Sequence, residues 1–341
     1  MNNWIKAALS LCSVLFFYNL LNANPIEKRQ SIFELMGGET VVELTIDIDL
    51  DSVIAQRKRQ DAIDASLSFV DAQGRQQEWR VNLTARGRFR RVHCAVPPLK
   101  IDFKKGDLDD YGLAKFDDYK LVTHCAADPD VAAELVLREY LAYRLYNELT
   151  EYSFRAQLVK LNFRNLETGK EDELWGFLIE DTAELSARLG LEKVEHMALP
   201  IDSFHRQELK LVSVFQEMIG NNDWGIQPSK NIKYFRRDGK LVPVPYDFDF
   251  SSLVDAPYAE ATSLLQNKKV ATALYTSLEP SMFGEDIAAT VAYVQSKRKE
   301  LLTVVRKNPL LPWNTRMEMV ALLNDFFRNP PGADEGTGSM R

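Results

Sequence analysis

Cysteine and histidine are scarce, three and four residues among 341. They are scattered, without the ligand spacing of four-coordinate zinc sites, so a zinc centre has no support. A glycine-rich phosphate loop is missing too, because Met36-Gly37-Gly38-Glu39 is too short a match. There is no internal repeat. The formal net charge of −7 gives no general reason to bind nucleic acid, whose phosphates it repels on average. The apolar run at residues 7–21 falls short of the about 20 residues that a spanning helix needs. Lys6 precedes that run and Asn22-Ala23 follows it, so residues 1–23 read as an export signal. The chain is therefore expected in the periplasm or outside the cell, with no stable membrane span after cleavage; an uncleaved anchor is the alternative.

Without the signal, Cys94 and Cys125 remain, an even pair in a compartment that permits oxidation. They are predicted to form a disulfide, against the alternative of two buried thiols. Closing a loop of about 30 residues adds roughly 3–4 kcal/mol on the chain-entropy account.

Ordinary apolar and charged fractions at this length point to a globular protein of two lobes. Residues 31–180 read as the first. Strands are predicted at 40–49, in two runs within 65–89, and at 99–103, 119–125, 154–163 and 174–180. Asp128-Pro129 is a good helix start, an N-cap acid followed by proline. Val131, Leu135, Ala142, Leu145 and Leu149 form the buried stripe of that helix. Helical patterns dominate the second lobe, 181–328, including 285–305 and 314–327. The tail, 329–341, is rich in proline, glycine and small residues and is expected to be disordered. The fold class is α+β.

One hairpin interrupts the helical half. Asp238-Gly239 between two strand-like runs is a strong two-residue turn signal. It pairs Arg237 with Lys240, Tyr234 with Pro243 and Ile232 with Pro245, and the prolines fall at non-hydrogen-bonded sites where no ladder bond is lost. Asn231 then lies within about one residue of Asp247 across the ladder. Upstream, Leu211, Val214, Phe215 and Met218 recur at helical spacing and Gly220 ends that helix, which leaves Asp223 on a loop. Two acidic clusters and an amide joined by one hairpin suit phosphoryl transfer, in which one carboxylate orients the acceptor hydroxyl and other groups hold the cation. Turn formation by Asp223, and a shared solvent-facing side for Asp247 and Asp249, are the plainer readings.

The order of blocks resembles the CotH-type atypical kinases. The blocks are Thr84-Ala-Arg86-Gly87, Pro98-Leu99-Lys100-Ile101-Asp102-Phe103, Tyr119-Lys-Leu121, Leu137-Arg138-Glu139-Tyr-Leu141-Ala142, Trp175-Gly176-Phe177-Leu178-Ile179-Glu180, Asn222-Asp223 through Asn231, and Pro245-Tyr246-Asp247-Phe248-Asp249. The resemblance covers about half the chain. It implies a bilobal protein-kinase-like fold, with a β-rich lobe carrying one main helix and a mostly helical second lobe. It departs from protein kinases in the long Asp223–Asn231 spacing and in the lack of a preceding His-Arg-Asp.

By that resemblance Asp223 orients the acceptor hydroxyl, Asn231 and Asp247 hold Mg2+ on the phosphates of ATP, and Asp249 is the fallback ligand. Lys100 is expected to contact the phosphates, with Glu139, in preference to Glu134, fixing its ammonium. Arg86, with Arg88 and Arg90 on one strand face, is a candidate phosphate contact, a solvated face being the alternative. The expected function is phosphoryl transfer to the hydroxyl of a protein substrate or envelope protein. Two other classes compete: a catalytically inactive binding or assembly protein of the same fold, and a metal-dependent phosphoesterase using Asp247, Asp249 and Asp223 around one cation.

Overall fold

Alternating apolar residues build the first half of the molecule as a closed barrel. The computed structural model describes residues 29–37, 41–123, 125, 126, 128–195, 199–259 and 286–330. The expected export signal and nearly all of the expected tail lie outside them. Among the described residues no helix is long and apolar enough to cross a membrane.

In chain order the principal elements are α1 (Ile32–Met36), β1 (Val42–Asp47), β2 (Ile63–Val70), β3 (Gln76–Ala85), α2 (Phe89–His93), β4 (Leu99–Phe103), β5 (Asp118–Val122), α3 (Pro129–Asn147), β6 (Ala156–Arg164), β7 (Glu171–Ile179), α4 (Thr182–Leu189), β8 (Glu192–Val194), α5 (Arg206–Met218), β9 (Ile232–Arg237), β10 (Lys240–Pro245), α6 (Asp286–Ser296), α7 (Arg298–Arg306) and α8 (Trp313–Arg328). Content is mixed α+β. Strands close in the order β1-β2-β3-β4-β5-β7-β6, and the ring is completed by parallel pairing of β1 with β6. Closure of the sheet is the feature that sequence patterning did not foresee.

Inside the barrel sit Leu44, Leu67, Leu83, Leu99, Ile101 and Leu161, each with none of its surface exposed. Each such side chain is worth roughly 1.5–3 kcal/mol of burial. α1 seals one end with Ile32, Phe33, Leu35 and Met36.

α3 begins as its sequence dictates: the Asp128 carboxylate caps the amides of Asp130 and Val131, with Pro129 in the first turn. It packs outside the barrel, where Tyr140, Leu141, Tyr143 and Leu145 share one core with Leu158 and Phe177 and with α5, β9, β10 and the last three helices. Val131 departs from the predicted stripe and is 43% exposed in the first turn. The predicted helix over 285–305 is two helices, α6 and α7, broken at Lys297.

A second difference bears directly on the site. β3 ends at Ala85, Gly87 turns the chain with φ of 84°, and residues 89–93 form α2. Arg86, Arg88 and Arg90 therefore do not share a strand face. Cys94, at the end of α2, is bonded to Cys125, just beyond β5, so the disulfide fastens α2 near the segment that leads into α3.

Candidate functional site

Helix α5 buries Leu211, Val214, Phe215 and Met218, and Gly220 ends it at φ of 63°. That conformation favours glycine, and a Cβ at Gly220 would meet Ser252 Oγ at 2.6 Å. The turn delivers Asn221 into the interior. Its Nδ2 donates to Gln216 Oε1 at 2.9 Å, and its Oδ1 accepts the Asp223 amide at 2.9 Å. The Asp223 loop is thus held from below, and its carboxylate accepts from Lys230 Nζ and, at 2.9 Å, from Asn231 Nδ2.

The hairpin has the register its turn chemistry predicts: Arg237 opposite Lys240, Tyr234 opposite Pro243, Ile232 opposite Pro245. One step further the Tyr246 amide donates to the Asn231 carbonyl at 3.0 Å, which makes Asn231 and Asp247 near neighbours. Strict alternation would send their side chains to opposite faces. Both residues leave the ladder in the left-handed region, Asn231 at φ 54° and Asp247 at φ 65°, so the alternation ends there. Asn and Asp tolerate that region better than other non-glycine residues. The Asp247 amide is fixed in turn by donation to Tyr143 Oη on α3 at 2.9 Å.

Arg90 is the group that sequence reasoning missed. Its guanidinium donates to Glu139 Oε2 at 2.9 Å and to Asp247 Oδ1 at 2.5 Å, and lies 3.3 Å from Asp249 Oδ2. Burial opposes its charge, but the Asp249, Glu139 and Asp247 carboxylates hold its pKa well above the ordinary value. Asp249 also accepts from Tyr258 Oη at 3.0 Å, and burial raises its own pKa. Only a forked cation such as arginine serves three carboxylates from different elements at once. The sequence carried no signal for this, because Arg90 was read with Arg86 and Arg88 as one of three alternating arginines on a strand face.

Two expectations are corrected by this arrangement. The cation on Glu139 is Arg90, while Lys100 pairs with Asp102 at 2.8 Å and Asp118 at 3.9 Å. Asp249 is not available as a fallback ligand, since it is buried against Arg90 and Tyr258.

The lysine nearer the candidate centre is Lys120. It lies directly opposite Lys100 on the neighbouring strand, hence on the same outer face of the barrel. Its ammonium is 5.1 Å from the Tyr246 ring centroid and 5.7 Å from that of Phe154. Burial, with the charges of Arg86 and Lys233, pushes its pKa down to about 7 against the opposing pull of Asp118 and Asp247. Arg86 is therefore near enough to Lys120 for its charge to act on that ammonium. Alternation singles out both lysines alike; the position of Lys120 on the strand just before α3 was the available clue.

Among the described residues no group of three or more His, Cys, Asp or Glu side chains is placed to hold a metal ion. Asp247, Asp249 and Asp223 accordingly form no single-cation centre of the phosphoesterase kind. Magnesium on a phosphate chain asks for less, one or two protein oxygens with phosphates and water supplying the rest. Asp247 is about one-third exposed and gives one carboxylate oxygen, Oδ1, to Arg90, so its Oδ2, with the adjacent Asn231, is what would meet that requirement.

No family model matches the chain. No curated protein matches it in sequence. Among solved structures it is similar to the Helicobacter pylori proinflammatory kinase CtkA, at 11% identity and a TM-score of 0.38, over 67% of this chain and 90% of that one. It is also similar to the Rio2 kinase from Chaetomium thermophilum, at 10% identity and a TM-score of 0.33, over 80% and 75%. The ADP/Mg2+-phosphoaspartate complex of that Rio2 kinase aligns at 10% identity and a TM-score of 0.26, over 82% and 76%. These structural neighbours are protein kinases, but likeness at this level carries no argument, and the site stands on its own geometry.

Proposed function

We propose that this chain is an exported, bilobal kinase-like protein that transfers a phosphoryl group from a magnesium-bound nucleotide to the hydroxyl of a protein, an envelope protein being one such substrate. The observation that carries the reading is the joining of two groups through one hairpin: Asn231 Nδ2 donates to the Asp223 carboxylate at 2.9 Å, and the amide of Tyr246, the residue before Asp247, donates to the Asn231 carbonyl at 3.0 Å. Asp223 orients an acceptor hydroxyl, and Lys120 on the barrel wall meets phosphate oxygens in place of the lysine first expected there. Asp247 and Asn231 would hold magnesium, which supplies charge neutralisation on the phosphates. Arg90 keeps Glu139 and Asp247 in register with each other.

Incubation with labelled ATP and magnesium tests this. Transfer to a protein acceptor that vanishes in both Asp223→Asn and Asp247→Asn supports it, and label equal to that of the variants rejects catalysis. One observation favours a second reading, a catalytically inactive protein that binds or assembles: the Asp247 carboxylate is already engaged by a buried guanidinium. Under that reading the wild type binds nucleotide or protein and transfers nothing.

A further inference from the structure

Beside Asn231 lies a cavity of about 470 Å3, with Lys193, Glu195, Ser229, Lys233 and Tyr246 on its walls. Ile232 and Tyr234 also border it but are only 4% and 2% exposed, and the Tyr234 hydroxyl donates into the interior to Ile226 O at 2.6 Å. The accessible wall is therefore mainly polar and charged, unlike the apolar slot that a flat heterocycle prefers. Tyr246 presents an aromatic ring, yet Lys120 and Lys233 already set their ammonium groups 5.1 and 5.7 Å from its centroid. A base stacked there would compete with two cation–π contacts.

Positive charge is crowded on this wall. Lys193 and Lys233 line the cavity, and Lys120, which does not, sets its ammonium over the same Tyr246 ring as Lys233. Glu195, the carboxylate on this wall, is paired with Lys193 at 2.5 Å, and Asp247 is held by Arg90. Three ammonium groups at and beside the cavity, against a single carboxylate on its wall, favour an anionic ligand.

We propose that this cavity holds a linear oligophosphate, so that the donor is recognised through its phosphate chain and not through a nucleobase. The proposal rests on the phosphoryl-transfer reading of the cleft and specifies its donor. Ammonium groups suit such a chain because they serve as point charges and need no fixed plane.

Calorimetry on the full chain with ATP, inorganic tripolyphosphate and adenosine, each with magnesium, tests it. Tripolyphosphate is expected to bind within about threefold of ATP, and adenosine to give no binding. Lys233→Gln, and separately Lys193→Gln at the cavity rim, should each weaken tripolyphosphate by about tenfold, the loss of one charge-assisted contact. The proposal is overturned by ATP binding more than about tenfold tighter than tripolyphosphate, by adenosine binding, by unchanged affinity in both lysine variants, or by no binding of tripolyphosphate. Failure of the two readings is distinguishable. Tripolyphosphate binding without transfer to any acceptor sinks the kinase reading alone, whereas Asp247-dependent transfer with base-dependent affinity sinks the oligophosphate reading alone.

Discussion

Arg90 and Glu139 meet at 2.9 Å with 7% and 0% of their side chains exposed, which makes their pairing a condition of the fold as well as of the cleft. Arg90→Met would leave Glu139 and Asp249 buried without their cation. Removing one partner of a buried pair costs about 3–5 kcal/mol, so the urea midpoint should fall steeply. Arg90→Lys keeps the charge but not the fork, and should recover less than half of the loss. A change below about 1 kcal/mol in the methionine variant would rank the pair with surface ion pairs instead.

The Cys94–Cys125 bond spans a sequence separation of 31 residues and fastens α2, the helix that carries Arg90. Reduction, or the double change Cys94→Ser/Cys125→Ser, is expected to cost about 3–4 kcal/mol by chain entropy. Unfolding with and without reductant reads this directly, and the double variant should not respond to reductant.

Lys120 should titrate near 7. Burial and the neighbouring cations lower its pKa in the fold, so its charged form is disfavoured there relative to the unfolded chain. Its unfavourable contribution is therefore fully present below about 7 and is relieved as pH rises from about 7 toward the unfolded value of about 10.4. NMR of 13C-methylated lysines should show one resonance with that low midpoint, absent in Lys120→Arg. Tripolyphosphate should move the midpoint upward and cause proton uptake at pH 8, seen as a buffer-dependent binding heat. A midpoint near that of an exposed lysine would contradict the buried cationic setting.

Glu184 sits 3% exposed beneath α1, accepting from Ser31 Oγ at 2.6 Å and Tyr119 Oη at 2.9 Å, with Arg155 also at 2.6 Å. Burial raises its pKa to about 7, with the Glu180 charge adding to the rise and the Ser31, Arg155 and Tyr119 contacts opposing it. A raised acid binds protons more tightly in the fold, so its contribution is fully present below the unfolded value of about 4.3 and is lost as pH rises through about 7. Stability curves of wild type and Glu184→Gln should diverge across that window by roughly 3 kcal/mol, the variant having the flatter curve. Parallel curves would contradict the assignment.

Gly220→Ala combines a positive φ with a Cβ placed 2.6 Å from Ser252 Oγ and 2.8 Å from Ser252 Cβ. A loss of about 2 kcal/mol is expected from strain of this kind. Because Gly220 and Ser252 flank the segments that carry Asp223 and Asp249, nucleotide or phosphate affinity should fall as well. Thermal unfolding and calorimetry on the same variant check both parts.

Local features were legible in the sequence. Asp238-Gly239 set the hairpin register down to the pairing of its prolines, Asp128-Pro129 opened α3, and Gly220 closed α5. Each depends on a few consecutive residues whose backbone preferences agree. Long-range relations were not legible. Lys100 and Lys120 point the same way from adjacent strands, and only the packing of Tyr246 and Phe154 separates their roles. Arg90 looked like one of three alternating arginines until Gly87 turned the chain and three distant carboxylates gathered around it. Asn231 and Asp247 were expected to be close, but their directions depended on two left-handed residues that alternation does not anticipate.

The parallel seam between β1 and β6 is clamped where Arg164 grips both oxygens of Asp47, at 2.7 and 3.0 Å, across 117 residues of chain. A nascent polypeptide has to wait for that partner. Until β6 and β7 emerge, the earlier strands can form only an open five-stranded meander with bare margins on β1 and β5. Such margins invite pairing with other chains, and contacts this distant form slowly. Both margins stay unpaired until the ring shuts.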